Sequence, residues 1–423
     1  MTNDGSRQFS RRTFIKTIAA TTGLLAIPAA LPDSAAAAGK APVASTGRIY
    51  ALPSVGVLAP QSSAYPALSG NFINGLNLAL YGQGRAGVGK GAVATAATSI
   101  SATRASLDTM LARARVDVVV GVLRPTDELQ QALAAQGRAL LATSFEATVP
   151  SGQPAGALQH DLPYWQAAWA LGNWAARNIG KRAAILHSFH ESGYDASFAF
   201  YAGFLAGGGQ ECGMTVTHSP SASRKLDAVV GEVAALKPDL VYLGYGATDG
   251  AETLAALRAS GLGKLPTLAS GAMLEAASLR QLGPAALGLR SAMPWNSDVA
   301  SQASQDFVQA YRRVARSEPD HWSLLGFEIG SLLGVASQAL KGNWGDPAAV
   351  QAALRGAQFA GPRGLVGPQV AGGGFVIREV RSSGANLINA SIASVSAAPL
   401  ADPRIAELMA GVRSGWSLPY LTV

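Results

Sequence analysis

A regular alternation of short apolar runs with helix-length stretches, from about residue 47 to about residue 300, constrains the fold more than any other feature. The run 116–122 is β-branched and almost continuously apolar, which is typical of a strand buried on both faces of a parallel sheet. In the stretches between such runs, apolar side chains recur at helical spacing. The alternation predicts an α/β fold built from parallel sheets flanked by helices.

Nine strands are predicted before residue 300, and they are separated by helices. The predicted strands are 54–59, 92–97, 116–122, 138–143, 182–187, 213–218, 239–244, 265–270 and 289–293. The predicted helices are 70–82, 102–114, 126–136, 163–179, 194–208, 223–236 and 248–260. So many strands favour more than one compact sheet. The stretch 145–162, rich in Pro and Gly, is interpreted as a crossing between two sheets.

The pattern changes after residue 300, where the helical stretches 301–315, 323–341 and 347–355 follow one another. Glycine-rich turns then bound short alternating runs, including 375–377. This order indicates a return to the first lobe, followed by short strands at a hinge.

Composition narrows the functional classes. The 423 residues are 48% apolar and only 14% charged, which excludes a disordered chain and supplies a sizeable core. The net charge of +7 is spread thinly, without the basic cluster that a phosphate backbone requires. The sequence therefore predicts no nucleic-acid binding.

The first 38 residues have the layout of a twin-arginine export signal. Arg11 and Arg12 precede the apolar stretch 17–31, and an alanine run, 35–38, follows. The apolar stretch is shorter than the ~20 residues of a membrane span. The chain is therefore expected to use the twin-arginine (Tat) export machinery and to reach the periplasm as a protein without a membrane span. The alternative is an ordinary arginine pair before a buried helix.

Several apparent functional motifs do not have the neighbouring predicted elements or partner residues that their function requires. The glycine-rich stretch 82–91 contains G-x-G-x-x-G and G-x₄-G-K, but it follows a predicted helix and precedes a strand, the reverse of a phosphate loop. His187, His190 and Glu191 lack a fixed third metal ligand, so a loop lining a cleft is the preferred interpretation. No catalytic motif is present. The sequence therefore predicts no metal, cofactor or enzyme activity.

Candidate binding residues follow the predicted strands, because open α/β sheets bind ligands at the carboxyl ends of their strands. Arg124 could clamp a carboxylate bidentately, although a solvated arginine or an ion pair with a nearby acid is the alternative. Thr126 suits the N-cap of the next helix. Tyr194 and Tyr245 could each contact a small solute with a flat apolar ring and a hydrogen-bonding hydroxyl. Packing in the core is the alternative for each.

The order of several short stretches resembles the periplasmic leucine/isoleucine/valine-binding protein family. The opening G-V-L-A-P-Q-S-S-A-Y, from Gly56 to Tyr65, is followed by F-I-N-G from Phe72 to Gly75. Further family-like stretches are 118–121, 147–150, 193–194, 237–242, 256–262 and 361–364. No single stretch is specific, but together they span about 330 residues in the family's order.

The resemblance implies a two-lobed type I periplasmic-binding fold with three hinge crossings. It implies a first lobe of 47–160 plus about 296–362, a second lobe of 161–295 plus about 363–399, and a C-terminal tail of 400–423. It further implies the solute receptor of an ABC importer of the branched-chain amino-acid type. Such a receptor would dock on a permease complex in the inner membrane.

The resemblance also implies site residues between the lobes. The first lobe would contribute Tyr65, Leu68, Thr126 and the loop Glu146, Ala147 and Thr148, and the second lobe Tyr194, Tyr245 and Met273.

Two departures from the family bear on the ligand. Arg124 and Pro125 replace a serine-rich turn, and Met273 stands where the family places an acid for the ligand's ammonium, with Glu275 two residues on. A buried unpaired ammonium is costly. This cost argues against a plain branched-chain amino acid, and Arg124 with an apolar wall in the second lobe better suits an anionic aromatic or aliphatic carboxylate. The expected solute class is a small carboxylate-bearing molecule, either an amino acid or an organic acid of this kind. An exported enzyme and a ligand-sensing receptor are the alternatives.

Overall fold

The computed structural model describes residues 50–62, 65–82, 92–97, 99–123, 126–143, 158–188, 194–217, 225–368 and 374–396. All of them belong to one compact unit, Gly47–Val423. The predicted signal 1–38, the tail 400–423 and most of the glycine-rich stretch 82–91 lie outside the described residues.

The first sheet has five parallel strands in the order β2-β1-β3-β4-β5. Its strands are β1 (Val55–Pro60), β2 (Val93–Ala96), β3 (Val118–Val122), β4 (Ala139–Thr143) and β5 (Leu158–Gln159). One face packs on α2 (Ile100–Arg113) and α3 (Asp127–Ala135). The other face packs on α1 (Leu68–Tyr81), α9 (Gln302–Ala315), α10 (His321–Ala339) and α11 (Pro347–Gly356). We refer to this sheet with these helices as the first half.

The second sheet has seven strands in the order β14-β13-β10-β9-β8-β6-β7. They are β6 (Arg182–His187), β7 (Gln210–Val216), β8 (Leu240–Gly244), β9 (Thr267–Ala269), β10 (Arg290–Met293), β13 (Phe375–Ser383) and β14 (Asn386–Val395). Helices α4 (Tyr164–Asn178) and α5 (Tyr194–Ala206) cover one face. Helices α6 (Leu226–Ala235), α7 (Ala247–Ala259) and α8 (Ala276–Leu282) belong to the other face. We refer to this sheet with these helices as the second half.

The chain passes between the two sheets rather than completing one before the other. After β10 in the second half, α9, α10 and α11 pack on the first sheet. The hairpin of β11 (Phe359–Gly361) and β12 (Gly364–Val366) follows, and β13 then rejoins the second sheet. The predicted α/β class with helix-flanked sheets is confirmed. The lobe boundaries and the count of three crossings stay predictions.

Four elements differ from the expectation. The runs expected to be short hinge strands are β13 and β14, of nine and ten residues, and they extend the second sheet as an antiparallel pair. The two-residue strand β5 lies inside the stretch interpreted as a crossing. Helix α8 was not foreseen, because it is only seven residues long and its apolar pattern is too short to indicate a helix.

Helices α1 and α10 cross very closely because two glycines face each other's backbone. A Cβ atom on Gly75 would lie 1.9 Å from the carbonyl oxygen of Ser323, and one on Gly326 would lie 2.0 Å from that of Phe72. These distances leave no room for any side chain. The F-I-N-G segment therefore has a packing role, and the crossing fixes the first turn of α10 beside the end of β1.

Within the described ranges, no helix combines the length and apolarity needed to cross a bilayer.

Candidate functional site

The residue Tyr65 follows β1 and lies where β1 and its parallel neighbour β3 both end. The Tyr65 side chain is buried, its backbone N–H donates to Ser62 Oγ at 3.0 Å, and its ring centroid lies 5.8 Å from that of Trp322. Leu68, three residues further, is 1% exposed and belongs to the core of the first half. Tyr65 thus lies at the strand ends, whereas Leu68 supports the core beneath them.

Thr126 caps helix α3, as its sequence position predicted. Its Oγ1 accepts the backbone N–H of Leu129 at 3.3 Å, and the Thr126 backbone is extended, as an N-cap requires. The hydroxyl hydrogen is still free to be donated to a ligand. The amides of the first turn of α3 and the positive end of its dipole are at the same edge of the sheet. This edge can therefore receive an anion.

Four rings form an aromatic cluster that joins the two halves: Tyr65, Tyr164, His321 and Trp322. Tyr164 begins α4 of the second half, and its ring centroid lies 5.1 Å from that of His321 and 6.5 Å from that of Trp322. His321 and Trp322 begin α10 of the first half, with ring centroids 4.0 Å apart. Burial together with the carboxylates of Glu275 and Asp320 raises the Tyr164 pKa, so this hydroxyl stays protonated.

Beside the aromatic cluster lies a buried charged group that we call the Glu275 network: Glu275, His321 and Arg378. Glu275 Oε1 lies 2.9 Å from His321 Nδ1 and accepts from an Arg378 guanidinium nitrogen at 3.3 Å. Glu275 Oε2 accepts the backbone N–H of His321 at 3.3 Å. Burial alone would raise the pKa of Glu275, but the charges of His321 and Arg378 outweigh it and lower this pKa to about 2. Glu275 is therefore ionised at neutral pH.

A second carboxylate, that of Asp320, lies at the same helix terminus. Asp320 caps α10: its Oδ1 accepts from the backbone N–H of Ser323 at 2.8 Å, and Ser323 Oγ accepts from the backbone N–H of Asp320 at 2.9 Å. Asn71 donates to Asp320 Oδ2 at 2.6 Å. Burial, with the neighbouring charge of Glu275, raises the pKa of Asp320 against the opposing effect of His321. The first turn of α10 thus holds two acids within the reach of one histidine.

A small pocket with about 50 Å³ of space, partly open to solvent, lies against the Glu275 network. Both halves contribute to its walls, through Trp295, Glu318 and His321 on one side and Glu275, Arg378 and Asn389 on the other. None of Tyr65, Leu68, Thr126, Tyr245 and Met273 lines it. His321 is the residue shared by this pocket and the aromatic cluster.

Two predicted second-lobe residues are core residues in this structure. Tyr245 is fully buried, and its hydroxyl lies 2.8 Å from Thr217 Oγ1, while burial raises its pKa far above the usual range. Met273 is also fully buried and packs beneath Gly250. Tyr245 therefore has the surroundings of a core residue, which was the alternative considered for it in the sequence analysis. Tyr194 begins α5. Six predicted residues lie outside the described ranges: Arg11, Arg12, Arg124, Glu146, Ala147 and Thr148.

Sequence reasoning did not assign Tyr164, His321, Trp322 or Arg378 to the site. A signal existed for one of them, since Asp320 followed by an apolar helix indicates an N-cap that places His321 in the first turn. His187 is buried at the end of β6, and His190 and Glu191, which were interpreted as part of a loop lining a cleft, lie outside the described residues. Among the described residues, no group of three His, Cys, Asp or Glu side chains could hold a metal.

A second buried charged group, the Glu328 network, anchors the segments that leave the first sheet. Glu328 lies in α10, with Oε2 2.8 Å from His160 Nε2 and Oε1 2.7 Å from Arg363 Nε. A second Arg363 nitrogen lies 3.0 Å from Oε2. Burial would raise the pKa of Glu328, but Arg363 and His160 lower it. The network ties His160, after β5, and Arg363, in the β11–β12 turn, to one helix.

Two helix-flanked sheets that share an aromatic and charged junction are the arrangement of a two-lobed binding protein. The sequence matches the periplasmic binding protein family over residues 53–380. The chain belongs to this family. No protein of curated function matches the sequence.

Solved structures share the fold. A solute-binding protein of an ABC transporter from Rhodopseudomonas palustris, in complex with 3,4-dihydroxybenzoic acid, is 22% identical with a TM-score of 0.65, covering 81% of this chain and 97% of that one. A second R. palustris solute-binding protein, in complex with benzoate, is 23% identical with a TM-score of 0.63, covering 81% and 96%. A leucine-, isoleucine-, valine-, threonine- and alanine-binding protein from Brucella ovis, in a closed conformation, is 15% identical with a TM-score of 0.64, covering 81% and 95%.

Proposed function

We propose that this chain is the solute receptor of an ABC importer and that it captures a small organic carboxylate between its two halves. In this proposal a twin-arginine signal at Arg11 and Arg12 exports it to the periplasm, and a permease complex receives the solute. The observation that supports the proposal most directly is the aromatic cluster, to which both halves contribute rings at the ends of the first-sheet strands. The family assignment agrees with it.

The carboxylate end of the solute would be held by the first half. Thr126 can donate its hydroxyl, the first turn of α3 offers backbone N–H groups, and the predicted clamp Arg124 is two residues away in sequence. The loop Glu146, Ala147 and Thr148, also at a strand end, would complete this side. A carboxylate at a helix N-terminus with charge-assisted donors is a favourable arrangement.

The apolar part of the solute would lie against the aromatic cluster. Tyr164 is half-buried at the start of α4, and Trp322 is 3% exposed beside Tyr65. Flat rings pack well against these side chains, and offset or edge-to-face arrangements add about 0.5–1.5 kcal/mol beyond area burial. The solved relatives bound to benzoate and 3,4-dihydroxybenzoic acid make an aromatic acid the first solute to test.

An amino acid fits the described junction less well than an organic acid. The acid that follows the predicted ammonium position, Met273, by two residues in the sequence is Glu275, and its charge is already balanced by Arg378 and His321. An ammonium would have to compete with these two partners, and leaving a buried charge unpaired costs several kcal/mol. We therefore expect preference for a carboxylate that lacks an amino group.

Thermal unfolding of the mature chain with added benzoate, 3,4-dihydroxybenzoate, leucine or valine tests the proposal. A solute at 100 times its Kd stabilises the folded state by about 2.7 kcal/mol. We expect stabilisation by at least one aromatic acid and none by leucine or valine. Stabilisation by leucine or valine alone would overturn the ligand class, and a chemically altered solute recovered after binding would indicate an enzyme.

Thr126→Val and Thr126→Ser are a matched pair for the carboxylate contact. Valine lacks the hydroxyl, whereas serine keeps it. A lost hydrogen bond to a charged group corresponds to about 1.5–3 kcal/mol, so valine should weaken solute affinity by about tenfold or more while serine changes it little. Calorimetry measures the change in solute affinity, and thermal unfolding without solute measures the loss of the helix cap, which valine also removes. Equal affinities for both variants would exclude Thr126 from the site.

A further inference from the structure

The Glu275 network is divided between the two halves. Arg378 lies in β13 and Glu275 is the N-cap of α8, so both belong to the second half. His321 is the first residue of the 19-residue helix α10, which packs on the first sheet. One carboxylate of the second half therefore binds the first half twice, through the imidazole at 2.9 Å and the backbone N–H at 3.3 Å.

This contact satisfies a group that the helix itself leaves open. Asp320 caps α10 through the N–H of Ser323, and the N–H of His321 has no acceptor within the helix. Glu275 supplies that acceptor from the other half. Its negative charge also lies at the positive end of the α10 dipole, an arrangement that is strongest when partly buried. Glu275 is 5% exposed.

Arg378 makes the contact reversible. It is held within the second half by Ser291 Oγ at 3.1 Å and by the carbonyl oxygen of Gly271 at 3.1 Å, in addition to Glu275. If the halves separate, Glu275 keeps its ion pair with Arg378, so no buried charge is left without a partner. When the halves meet, the same carboxylate gains His321 and the end of α10.

We propose that Glu275 is a latch between the halves, which engages the first turn of α10 and so sets how often the molecule closes before any solute binds. The proposal rests on the hinge motion of the proposed function. Engagement also fixes His321 and Trp322, which are members of the aromatic cluster, so the closed form presents that cluster assembled. The apparent affinity for every solute then depends by the same factor on the fraction of molecules that are closed before binding.

The Glu328 network is a useful comparison, because none of its contacts with described residues would break when the halves separate. It has the same composition of one Glu, one His and one Arg, but Glu328, His160 and Arg363 all pack with the first half or with the segments that leave it. Separation of the halves leaves its contacts within that half. Among the described residues, the Glu275 network alone joins helix α10 to the second sheet through a side chain that has a partner in either state.

Distances between spin labels in the solute-free chain test the latch. Ala105 on α2 and Ala235 on α6 are exposed, one in each half, and accept cysteine labels once Cys212→Ser removes the native thiol. The test compares Glu275→Gln with the parent by double electron–electron resonance. The variant should lower the ratio of closed to open molecules by about tenfold or more, as for the loss of a charged hydrogen bond.

Two further variants keep the result interpretable. His321→Ala removes the cross-half imidazole and leaves the Glu275–Arg378 pair intact, so it should fold and also shift the distances towards the open form. Glu379→Gln is the control, because Glu379 binds Arg290 and Arg381 within the second sheet only. Unchanged distances in His321→Ala, or an equal shift in Glu379→Gln, would overturn the latch, as would a parent that is already fully open.

The outcome is separable from the proposed function because no solute is added. If no carboxylate binds, the proposed function fails while the distance shift still reports on the latch. If benzoate binds and the distances do not respond to His321→Ala, the latch fails alone. With both correct, Glu275→Gln should weaken the affinities for benzoate and for 3,4-dihydroxybenzoate by the same factor.

Discussion

The substitution Glu328→Gln probes the group that fixes helix α10 against the segments leaving the first sheet. Glutamine has nearly the same shape, but it removes the charge that balances Arg363, which is 8% exposed, and it places an NH₂ group where an oxygen accepted hydrogen bonds. Breaking a buried ion pair by removing one partner costs about 3–5 kcal/mol. We expect a loss of that size in the free energy of unfolding.

Urea-induced unfolding followed by far-UV circular dichroism measures this loss. The matched control is Glu318→Gln, because Glu318 binds Arg312 with the same two-pronged geometry while both side chains are about half exposed. An exposed pair of this kind contributes less than about 1 kcal/mol. Equal losses in the two variants, or a loss below about 1 kcal/mol for Glu328→Gln, would refute the reasoning from burial.

Three further predictions concern other parts of the molecule. Gly75→Ala should lower the free energy of unfolding in urea by several kcal/mol, because its Cβ would meet the Ser323 carbonyl oxygen. Gly70→Ala in the same helix has open space around its Cβ and should be neutral or stabilising by about 0.5–1 kcal/mol. The reverse order of stabilities would be inconsistent with the close crossing of α1 and α10. A carboxyl group whose pKa is lower in the folded than in the unfolded chain stabilises the folded state at pH values above its unfolded pKa. As the pH falls from about 4.5 to about 2, the free energy of unfolding should therefore decrease by roughly 3 kcal/mol because of Glu275. Glu275→Gln should lack this part of the pH profile. Tyr245→Phe should cost about 1 kcal/mol of stability and leave solute affinity unchanged in calorimetry, since its hydroxyl bonds Thr217 in the core. A large loss of affinity would instead support the predicted ligand-binding role of Tyr245.

The sheets were predictable because their signal is local. Buried strands such as β3 are continuous apolar runs, and the helices between them carry periodic apolar stripes, so each element can be read from its own residues. The strand β14 carried no such signal, since six of its ten side chains are Asn, Ser or Ala, and none of the ten is buried in the structure. Its place is decided by pairing with β13, which is a tertiary property.

The candidate site was predictable only in part. Strand ends and the N-cap Thr126 follow from local patterns, whereas burial does not: nothing in the sequence tells whether Tyr245, after β8, faces a crevice or the core. The Glu275 network brings together residues 46 and 103 positions apart in the chain. No spacing rule links them, because the fold and not the sequence separation creates the contact.

The structure of the chain crystallised with the carboxylate that stabilises it most tests the central claim directly. The account predicts that the solute is enclosed between the halves, with its carboxylate at Thr126 and the first turn of α3 and its apolar part against Tyr164 and Trp322. Glu275 should then contact His321 across the junction. A solute bound on the outer surface of one half, with no contact to the other, would contradict the account.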